Sequence, residues 1–381
     1  MLSNRYLEVS GTFSEMAFQQ GQAFRPLQNN ILKALQKVPV FPSWIQKRIP
    51  AFVYKNFLRK QGKKFLKHHA PIIRDISGTS VLDQFQKMAD GFEMDLPFLY
   101  GLNSFEILSS ELPYTLGCTS LAFAPHHTTD GFARLGYNHD FPTSLGKFLF
   151  VRKNNPDYSS YTSLSLTYPS LLGAIGGINE KGLALSLNHA FATDIKPMPA
   201  LFITLLVQKC LDSCTTVDEA LKLIEATPVP NGSMITLIDT SGKRAVVELA
   251  CTRKGVRRGD ETILHTFNKY QIGELEEVEI PLTAVGKGAL KEIGIHNHNL
   301  SRERRYLQLT NEKGKYSDED ILNLLSDHNE EKGGPFTICR HHPQTADTLA
   351  SAIFNPVERS MKVIFGFPCS GHYDSYNANR T

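Results

Sequence analysis

The chain has 381 residues, of which 41% are hydrophobic and 21% are charged, and its formal net charge is +3. These values are typical of a globular protein with a sizeable core, and so small a net charge gives no electrostatic reason to expect a nucleic-acid partner. No segment is long and apolar enough to span a bilayer, and the first residues lack the apolar run of a signal peptide. The sequence therefore predicts a cytoplasmic protein, in which thiols stay reduced.

The residues before Cys118 have patterns that mostly predict helices. A short strand is expected at 6–12, and a connector broken by prolines is expected at 40–50. The predicted helices of this part span residues 13–35, 54–69, 80–90 and 94–109.

Basic residues cluster in the second of these helices. They fall among hydrophobic residues at helical spacing and comprise Lys55, Arg59, Lys60, Lys63, Lys64 and Lys67. We interpret the segment as an amphipathic helix with a solvated basic face. The alternative is a docking face for an anionic partner, such as a coenzyme A phosphate or a membrane surface.

From Cys118 onward the pattern changes to short strands with alternating hydrophobic residues. The predicted strands span residues 119–124, 132–138, 147–153, 161–167, 183–188, 234–239, 244–252, 348–354 and 361–366. Helices are expected at 201–211, 216–224, 302–310 and 317–328, with Thr216 and Ser317 as N-cap residues. Many strands with helices segregated around them predict an α+β fold in layers.

Two stretches that flank a predicted turn carry the chemistry, Gly117-Cys118-Thr119-Ser120 and Asn138-His139-Asp140. Together they predict a hairpin with a thiol at its start and a carboxylate at its far end. Glycine has no Cβ, so its carbonyl can be approached closely, which suits a cysteine that attacks the peptide bond before it. The α-amino group freed by that cleavage, with a reference pKa of about 7.7–8.0, can act as general base for its own thiol. A buried free cysteine in a core strand is the other interpretation of these residues alone.

In their order and spacing, these and other segments resemble the acyl-coenzyme A:isopenicillin N (6-aminopenicillanic acid) acyltransferase family of self-processing N-terminal-nucleophile (Ntn) cysteine hydrolases. The bile-salt hydrolases and penicillin V acylases are more distantly similar. The segments that carry the resemblance are 8–12, 19–21, 117–120, 138–140, 177–184, 187–188, 337–341, 348–353 and 366–369. The resemblance implies a four-layer αββα sandwich with a mainly helical N-terminal segment. It also implies that cleavage yields an α chain, 1–117, and a catalytic β chain, 118–381, which together form one globular unit.

The resemblance further implies roles for single residues. Cys118 is the expected nucleophile, with the cleavage site between Gly117 and Cys118. Asp140 matches the acid of the family's Asn-x-Asp motif and is expected to hold the new α-amino group; without the resemblance it would be interpreted as a strand-end carboxylate. Asn268 lies in a segment that resembles the family's Thr-Asn motif, and it is the main candidate for stabilising the oxyanion.

Residues 301–305 resemble the family's Ser-x-x-Arg motif, whose arginine pairs with the acid near the nucleophile. We predict Arg304 for this role, with Arg305 as the alternative by register and an exposed helix surface as the other interpretation. Substrate or oxyanion contacts are expected from Asn188, Thr119 and Tyr137. The last of these stands where bile-salt hydrolases have an arginine, which favours the acyltransferase branch. His139 stands where relatives often have an aromatic residue, and it is expected to affect the substrate pocket without touching the core chemistry.

The predicted reaction begins with self-cleavage. Cys118 then attacks the amide or thioester carbonyl of a small acylated substrate and forms an acyl-enzyme. Water or a small amine resolves that intermediate, so hydrolase and acyltransferase differ only in the acceptor. Acyl-coenzyme A is one candidate acyl donor, no cofactor or metal is expected, the cleaved fragments are expected to stay associated, and a homo-oligomer is left open.

Three other interpretations are weighed against this one. A metal-dependent hydrolase would use histidine clusters, for which the candidates are His68-His69, His126-His127, His341-His342 and, if their segment is a strand, His296 with His298. However, the sequence has no His-Glu-x-x-His spacing, and its six cysteines have no zinc-type Cys-x-x-Cys spacing. A binding protein that kept the fold and lost processing is disfavoured by the intact motifs. A papain-like Cys–His pair stays open, since it needs a histidine that the fold brings to Cys118.

Overall fold

The structure is a computed structural model that describes residues 5–38, 49–69, 80–104, 117–157, 160–195, 200–259, 261–285, 294–311, 314–329, 333–342 and 346–380. The helices within these ranges are α1 (Phe13–Phe24), α2 (Gln28–Leu35), α3 (Ala51–His69), α4 (Val81–Phe92), α5 (Leu96–Asn103), α6 (Ile203–Ser213), α7 (Val217–Ala226), α8 (Gly273–Glu276), α9 (Ile295–Thr310) and α10 (Asp318–Leu325). The strands are β1 (Tyr6–Gly11), β2 (Gly117–Phe123), β3 (Arg134–Phe141), β4 (Phe150–Pro156), β5 (Ser163–Thr167), β6 (Gly176–Asn179), β7 (Ala184–His189), β8 (Ser233–Ile238), β9 (Arg244–Leu249), β10 (Lys254–Arg257), β11 (Leu264–Thr266), β12 (Asp347–Asn355), β13 (Ser360–Phe365) and β14 (Asp374–Asn377).

The strands form two sheets. Sheet I has eight strands in the order β1-β4-β5-β6-β7-β8-β9-β10, and sheet II has six in the order β11-β2-β3-β12-β13-β14. Neighbouring strands are antiparallel except β1 and β4, which pair in parallel with Tyr6 opposite Val151. The segment before Cys118 therefore supplies an edge strand of sheet I.

Three apolar clusters separate four layers of secondary structure. Between the sheets, Leu164 of sheet I packs in one cluster with Leu135 of sheet II. The outer face of sheet I is covered by α1, α4, α5, α6 and α7, whose buried residues include Phe85 and Leu206. The outer face of sheet II is covered by α9 and α10, where Ile321 is completely buried. The predicted α+β fold with a four-layer αββα arrangement is confirmed.

Two predicted helix starts have the side-chain caps that the sequence indicates. The hydroxyl of Thr216 accepts the backbone N–H of Glu219, and that of Ser317 accepts the N–H of Asp320. Each hydroxyl satisfies a donor that has no partner within its helix, which fixes where α7 and α10 begin.

The basic segment forms α3, the predicted amphipathic helix. Tyr54 and Leu58 are buried, and Lys60, Lys63 and Lys64 are exposed. None of the helices in the described ranges combines the length and the hydropathy needed to cross a membrane.

Other predicted elements differ in their bounds. The helix predicted at 13–35 is interrupted by a 3-10 turn at Arg25–Leu27, because Pro26 cannot continue an α-helix. The helix predicted at 302–310 begins earlier, at Ile295, so His296 and His298 lie about 200° apart around α9 and do not form the ligand pair that a strand would give. The strands β6, β10, β11 and β14 were not predicted, because three or four residues are too few to show an alternation.

Some predictions fall partly on residues that the structure leaves undescribed. Most of the connector expected at 40–50 lies outside the described residues, as do residues 105–109 of the helix expected at 94–109. The side chains of the His68-His69 pair also lie outside them.

Candidate active site

The hairpin of β2 and β3 determines the surroundings of Cys118, the second residue of β2. Strand pairing sets Cys118 opposite His139 and Gly117 opposite Asp140. Because side chains alternate across a strand, Cys118 and His139 project between the two sheets, whereas Asp140 projects toward α9. The Gly-Cys pair and the Asn-x-Asp motif therefore meet at one end of the hairpin.

A cavity begins at the Cys118 side chain and has an empty volume of about 980 Å³, which includes open space at its mouth. Most of its lining is apolar and includes Ile31, Leu35, Leu102, Phe148, Leu171 and Ile203. Among the described residues that line it, none is a lysine or an arginine, and Asp140 is the only acid. Cavities of this size and character are typical of small-molecule sites.

The Cys118 thiol has two polar neighbours inside this cavity. Its Sγ lies 3.6 Å from the hydroxyl of Tyr137 and 3.8 Å from Nδ1 of His139. The Tyr137 hydroxyl also lies 3.2 Å from the same Nδ1 and donates to the Leu187 carbonyl at 2.8 Å. On its other side, Nε2 of His139 lies 2.9 Å from the Tyr168 hydroxyl. The imidazole is thus held on both edges and directed at the thiol.

Burial decides the protonation states of the thiol and the imidazole. Loss of solvent raises the pKa of Cys118 to about 12, and the charge of Asp140 adds to this shift. Burial lowers the pKa of His139 to about 3. At neutral pH the thiol is therefore protonated and the imidazole is neutral, so His139 has a lone pair that can accept a proton.

The backbone of Cys118 is held by two side chains on the far side of β2. Its N–H donates to Oδ1 of Asn268 at 2.8 Å, and its carbonyl accepts from Arg302 at 2.9 Å. The same Arg302 donates to Oδ1 of Asn268 at 3.0 Å and to Oδ1 of Asn299 at 2.9 Å. Asn268 has a left-handed backbone, with φ of 62°, and its amide nitrogen donates to the His189 carbonyl at 2.7 Å. With its nitrogen used in this way, Asn268 presents an acceptor to the Cys118 nitrogen.

Asp140 lies against Gly117 in a buried charged group. One of its oxygens accepts from the Thr348 hydroxyl at 2.7 Å, and the other lies 3.5 Å from Arg302. Burial raises the pKa of Asp140, and the positive charges of Arg302 and Arg340 act against that shift. A Cβ at position 117 would lie 3.1 Å from both the Asp140 carboxylate and the Arg340 guanidinium. The absence of a side chain at Gly117 therefore lets this charged group close over the 117–118 peptide.

Comparison with known proteins identifies the family. The sequence model of one protein family, described as acyl-coenzyme A:6-aminopenicillanic acid acyl-transferase, matches residues 128–369 of this chain. The chain belongs to this family. It is therefore an enzyme of the Ntn type, an amidohydrolase or acyltransferase. The matched range begins after Cys118 and includes Asp140, Asn268 and Arg302.

No curated protein matches this acyltransferase-family chain. Similar solved structures include a penicillin V acylase from Agrobacterium tumefaciens, with 15% identity, 68% of this chain and 86% of that chain covered and a TM-score of 0.44. An N-acylethanolamine-hydrolyzing acid amidase ortholog from Caenorhabditis elegans has 13% identity, 63% and 93% coverage and a TM-score of 0.43. A mutant of the conjugated bile acid hydrolase from Clostridium perfringens has 14% identity, 69% and 98% coverage and a TM-score of 0.41.

In this acyltransferase-family chain, the arginine beside the acid is Arg302, so the prediction of Arg304 is wrong. The inner face of α9 carries Ile295, Asn299, Arg302 and Tyr306, spaced three or four residues apart. Arg304 follows Arg302 by two residues, which turns it about 200° away into solvent. The alternative, Arg305, pairs instead with Asp327 at 2.9 Å.

The three residues predicted to contact substrate or oxyanion are placed differently from one another. Tyr137 lines the cavity beside Cys118. Thr119 projects to the other face of β2, where its hydroxyl accepts from Arg302 at 3.2 Å. Asn188 lies between the sheets, and its Oδ1 accepts from the Ser120 hydroxyl at 2.5 Å. Neither Thr119 nor Asn188 is among the described residues that line the cavity.

The sequence predicts His139 as a residue of the substrate pocket alone, whereas in the structure it lines the cavity and also contacts the Cys118 thiol. The alternation of β3 already indicates that Tyr137 and His139 share the face of Cys118, so this signal was available. Arg340 and Tyr168 were also missed as members of the site. Each reaches the site from a segment distant in sequence, and no local pattern indicates that approach.

Proposed function

We propose that this chain cleaves itself between Gly117 and Cys118, and that the freed Cys118 then cleaves or transfers the acyl group of a small amide or thioester substrate. The observation that carries the proposal is the position of Cys118. Its thiol faces an apolar cavity, while its backbone nitrogen and carbonyl are held by Asn268 and Arg302. This arrangement fixes the peptide bond that must break and leaves the attacking atom beside a proton acceptor.

Self-cleavage requires one proton transfer and one hydrolysis. Sγ of Cys118 attacks the Gly117 carbonyl, the carbon–sulfur bond forms, and the carbon–nitrogen bond breaks as the Cys118 nitrogen takes up a proton. Water then hydrolyses the resulting thioester, which releases the Gly117 carboxylate and the free thiol. Asn268, which the sequence predicts as an oxyanion donor, accepts a hydrogen bond from that nitrogen at 2.8 Å, so it is suited to hold the new amino group, the role that the sequence predicts for Asp140.

His139 is suited to carry the proton in the first step. The neutral imidazole lies 3.8 Å from Sγ, and the Tyr137 hydroxyl contacts both groups. With a pKa of about 12, almost none of the Cys118 thiol is ionised at neutral pH, so the proton has to leave Sγ as the carbon–sulfur bond forms, and His139 is a neutral acceptor in contact with it. In the mature enzyme the α-amino group of Cys118 becomes available for the same task.

We expect a His139→Phe chain to cleave itself more slowly and with a different dependence on pH. In the wild type, His139 stays neutral and Cys118 stays protonated between pH 6 and 8, because their pKa values are about 3 and about 12. The wild-type rate should therefore be nearly flat over this range. Without the imidazole, attack depends on free thiolate, whose fraction rises about tenfold per pH unit below the thiol pKa. Cell-free synthesis followed by gel analysis at set pH values measures both profiles.

A His189→Phe chain is the matched control for this pH profile. His189 lines the same cavity, loss of solvent lowers the pKa of its imidazole to about 4, and its Nε2 has no hydrogen-bond partner among the described residues. This variant should keep the flat profile. A His139→Phe chain whose rate is also flat between pH 6 and 8 would rule out His139 as the proton acceptor.

The cavity favours a neutral, apolar acyl group. Its described lining lacks lysine and arginine, so a carboxylate or phosphate placed inside would have no cation to offset its lost hydration. The phosphates of an acyl-coenzyme A donor would therefore have to lie outside the cavity. The helix α3, which carries exposed lysines, packs against α2 of the cavity wall, where the Tyr54 hydroxyl donates to the Leu35 carbonyl at 3.4 Å.

Intact-mass measurement with N-terminal sequencing of the purified chain tests the proposal. Two co-purifying fragments, 1–117 and 118–381, are expected, with Cys118 as the first residue of the second. A chain that remains uncut after prolonged incubation at neutral pH contradicts self-cleavage. An uncut chain that still hydrolyses acyl amides would separate the two parts of the proposal.

A further inference from the structure

Two cysteines and two histidines converge away from the cavity, and we call them the Cys₂His₂ cluster. His328 follows α10, Cys339 and His341 lie in the loop 333–342, and Cys369 lies in a 3-10 turn after β13. One ligand atom from each side chain can be chosen so that all four lie within 4.8 Å of one another. None of the four residues lines the cavity at Cys118. Three separate parts of the chain thus contribute soft donor atoms to one point.

Three of the six edges of this cluster, all from Nε2 of His341, have the lengths expected at a tetrahedral site. With Zn–N of about 2.0–2.1 Å and Zn–S of about 2.3 Å, the edges of a tetrahedron are about 3.3 Å between nitrogens and about 3.5 Å between nitrogen and sulfur. The two Nε2 atoms of His328 and His341 are 3.1 Å apart. Nε2 of His341 lies 3.3 Å from Sγ of Cys339 and 3.5 Å from Sγ of Cys369. Each measured edge is within about 0.2 Å of the value that zinc requires.

We propose that the Cys₂His₂ cluster binds one Zn²⁺ ion. Two thiolates and two imidazoles in a tetrahedral arrangement select zinc over the harder cations, which prefer oxygen ligands. All four positions are filled by side chains, as in structural zinc sites, whereas a catalytic zinc keeps one position open for water. The site is therefore structural, and it is distinct from the metal-dependent hydrolase weighed from the sequence.

The position of the cluster indicates what the ion stabilises. Loop 333–342 contains only isolated bridges, and it carries Arg340 between the two ligands Cys339 and His341. The backbone N–H of Arg340 donates to the Thr348 hydroxyl, which in turn donates to Asp140 at 2.7 Å. A metal that joins Cys339 and His341 to His328 and Cys369 holds this loop in place behind Asp140. The zinc site therefore supports the charged group at Gly117 without touching substrate.

Metal analysis of the untagged chain, expressed with zinc in the medium, tests the proposal. The wild type should contain about one zinc per chain. The Cys369→Ser variant should bind zinc at least about 100-fold more weakly, since even the loss of an outer partner of a metal ligand costs 10- to 100-fold. Cys369 is exposed, so its replacement leaves the apolar core intact. Cys251→Ser, outside the cluster, and Cys118→Ala, at the proposed nucleophile, should both keep wild-type zinc affinity.

Cobalt provides a measurement that does not depend on a variant. Co²⁺ bound to the wild type should show the strong visible absorption of tetrahedral thiolate coordination, and added Zn²⁺ should remove it. The proposal is overturned if the wild type binds no zinc, if Cys369→Ser retains wild-type affinity, or if bound cobalt is octahedral. A metal-free chain whose mass shows a Cys339–Cys369 disulfide would also overturn it.

Discussion

Replacing Cys118 with alanine is expected to give a single uncut chain that has no measurable turnover. The variant lacks both the atom that attacks the Gly117 carbonyl and the atom that would carry the acyl group. Removal of a nucleophile of this kind lowers turnover on the order of 10⁶-fold. Intact mass tests the first loss, and release of the amine from an N-acyl amide tests the second.

Two further variants sharpen this test. Cys251→Ala removes a buried thiol outside the site and should be cleaved and active like the wild type. Cys118→Ser keeps a group that can attack and should cleave itself more slowly than the wild type, because a hydroxyl is a weaker nucleophile than a thiol. Fragments that meet at residues 117 and 118 in the alanine variant would assign the cleavage to another group.

Replacing Arg302 with methionine is expected to cost about 3–5 kcal/mol in the free energy of unfolding, the range for breaking a buried ion pair. The side chain of Arg302 is only 1% exposed, and that of Asp140 is completely buried. Loss of the guanidinium removes the cation that pairs with this carboxylate, and it removes one hydrogen bond each from the Cys118 carbonyl and from Oδ1 of Asn268. Urea unfolding of chains that also carry Cys118→Ala measures the effect without interference from self-cleavage.

Arg304 on the same helix provides the matched control. Its side chain is exposed, so Arg304→Met should change the stability by no more than about 0.5 kcal/mol. Arg302→Met should also abolish self-cleavage in the chain that retains Cys118, whereas Arg304→Met should leave it intact. Equal effects of the two substitutions would show that Arg302 is not the partner that Asp140 requires.

The features of the site and the fold that the sequence predicts correctly depend on patterns of residues close together in the chain. The β2–β3 hairpin follows from two strand-like runs on either side of a segment with turn residues, and its pairing sets Gly117 opposite Asp140. The caps at Thr216 and Ser317 also depend on neighbouring residues alone. The layered α+β fold follows from the segregation of strand and helix patterns along the chain.

The parts that the sequence misses depend on phase or on long-range packing. The choice between Arg302 and Arg304 requires the rotational phase of α9, which is set by its contact with sheet II. The alternation of β3 indicates the face of the strand on which His139 lies, but no pattern in the sequence places the Tyr168 hydroxyl next to its imidazole. The Cys₂His₂ cluster has no compact spacing, because its ligands come from three segments that only the folded chain brings together.

The apolar cavity is lined by residues that precede the bond between Gly117 and Cys118 in the sequence and by residues that follow it. Ile31, Leu35 and Leu102 precede that bond, whereas Phe148 and Ile203 follow it. A mature enzyme made by self-cleavage would therefore recognise its acyl group with two polypeptides. A substitution in either fragment would therefore change the preferred length of the acyl group. An enzyme of new specificity could be made by combining one fragment with the corresponding fragment of a relative.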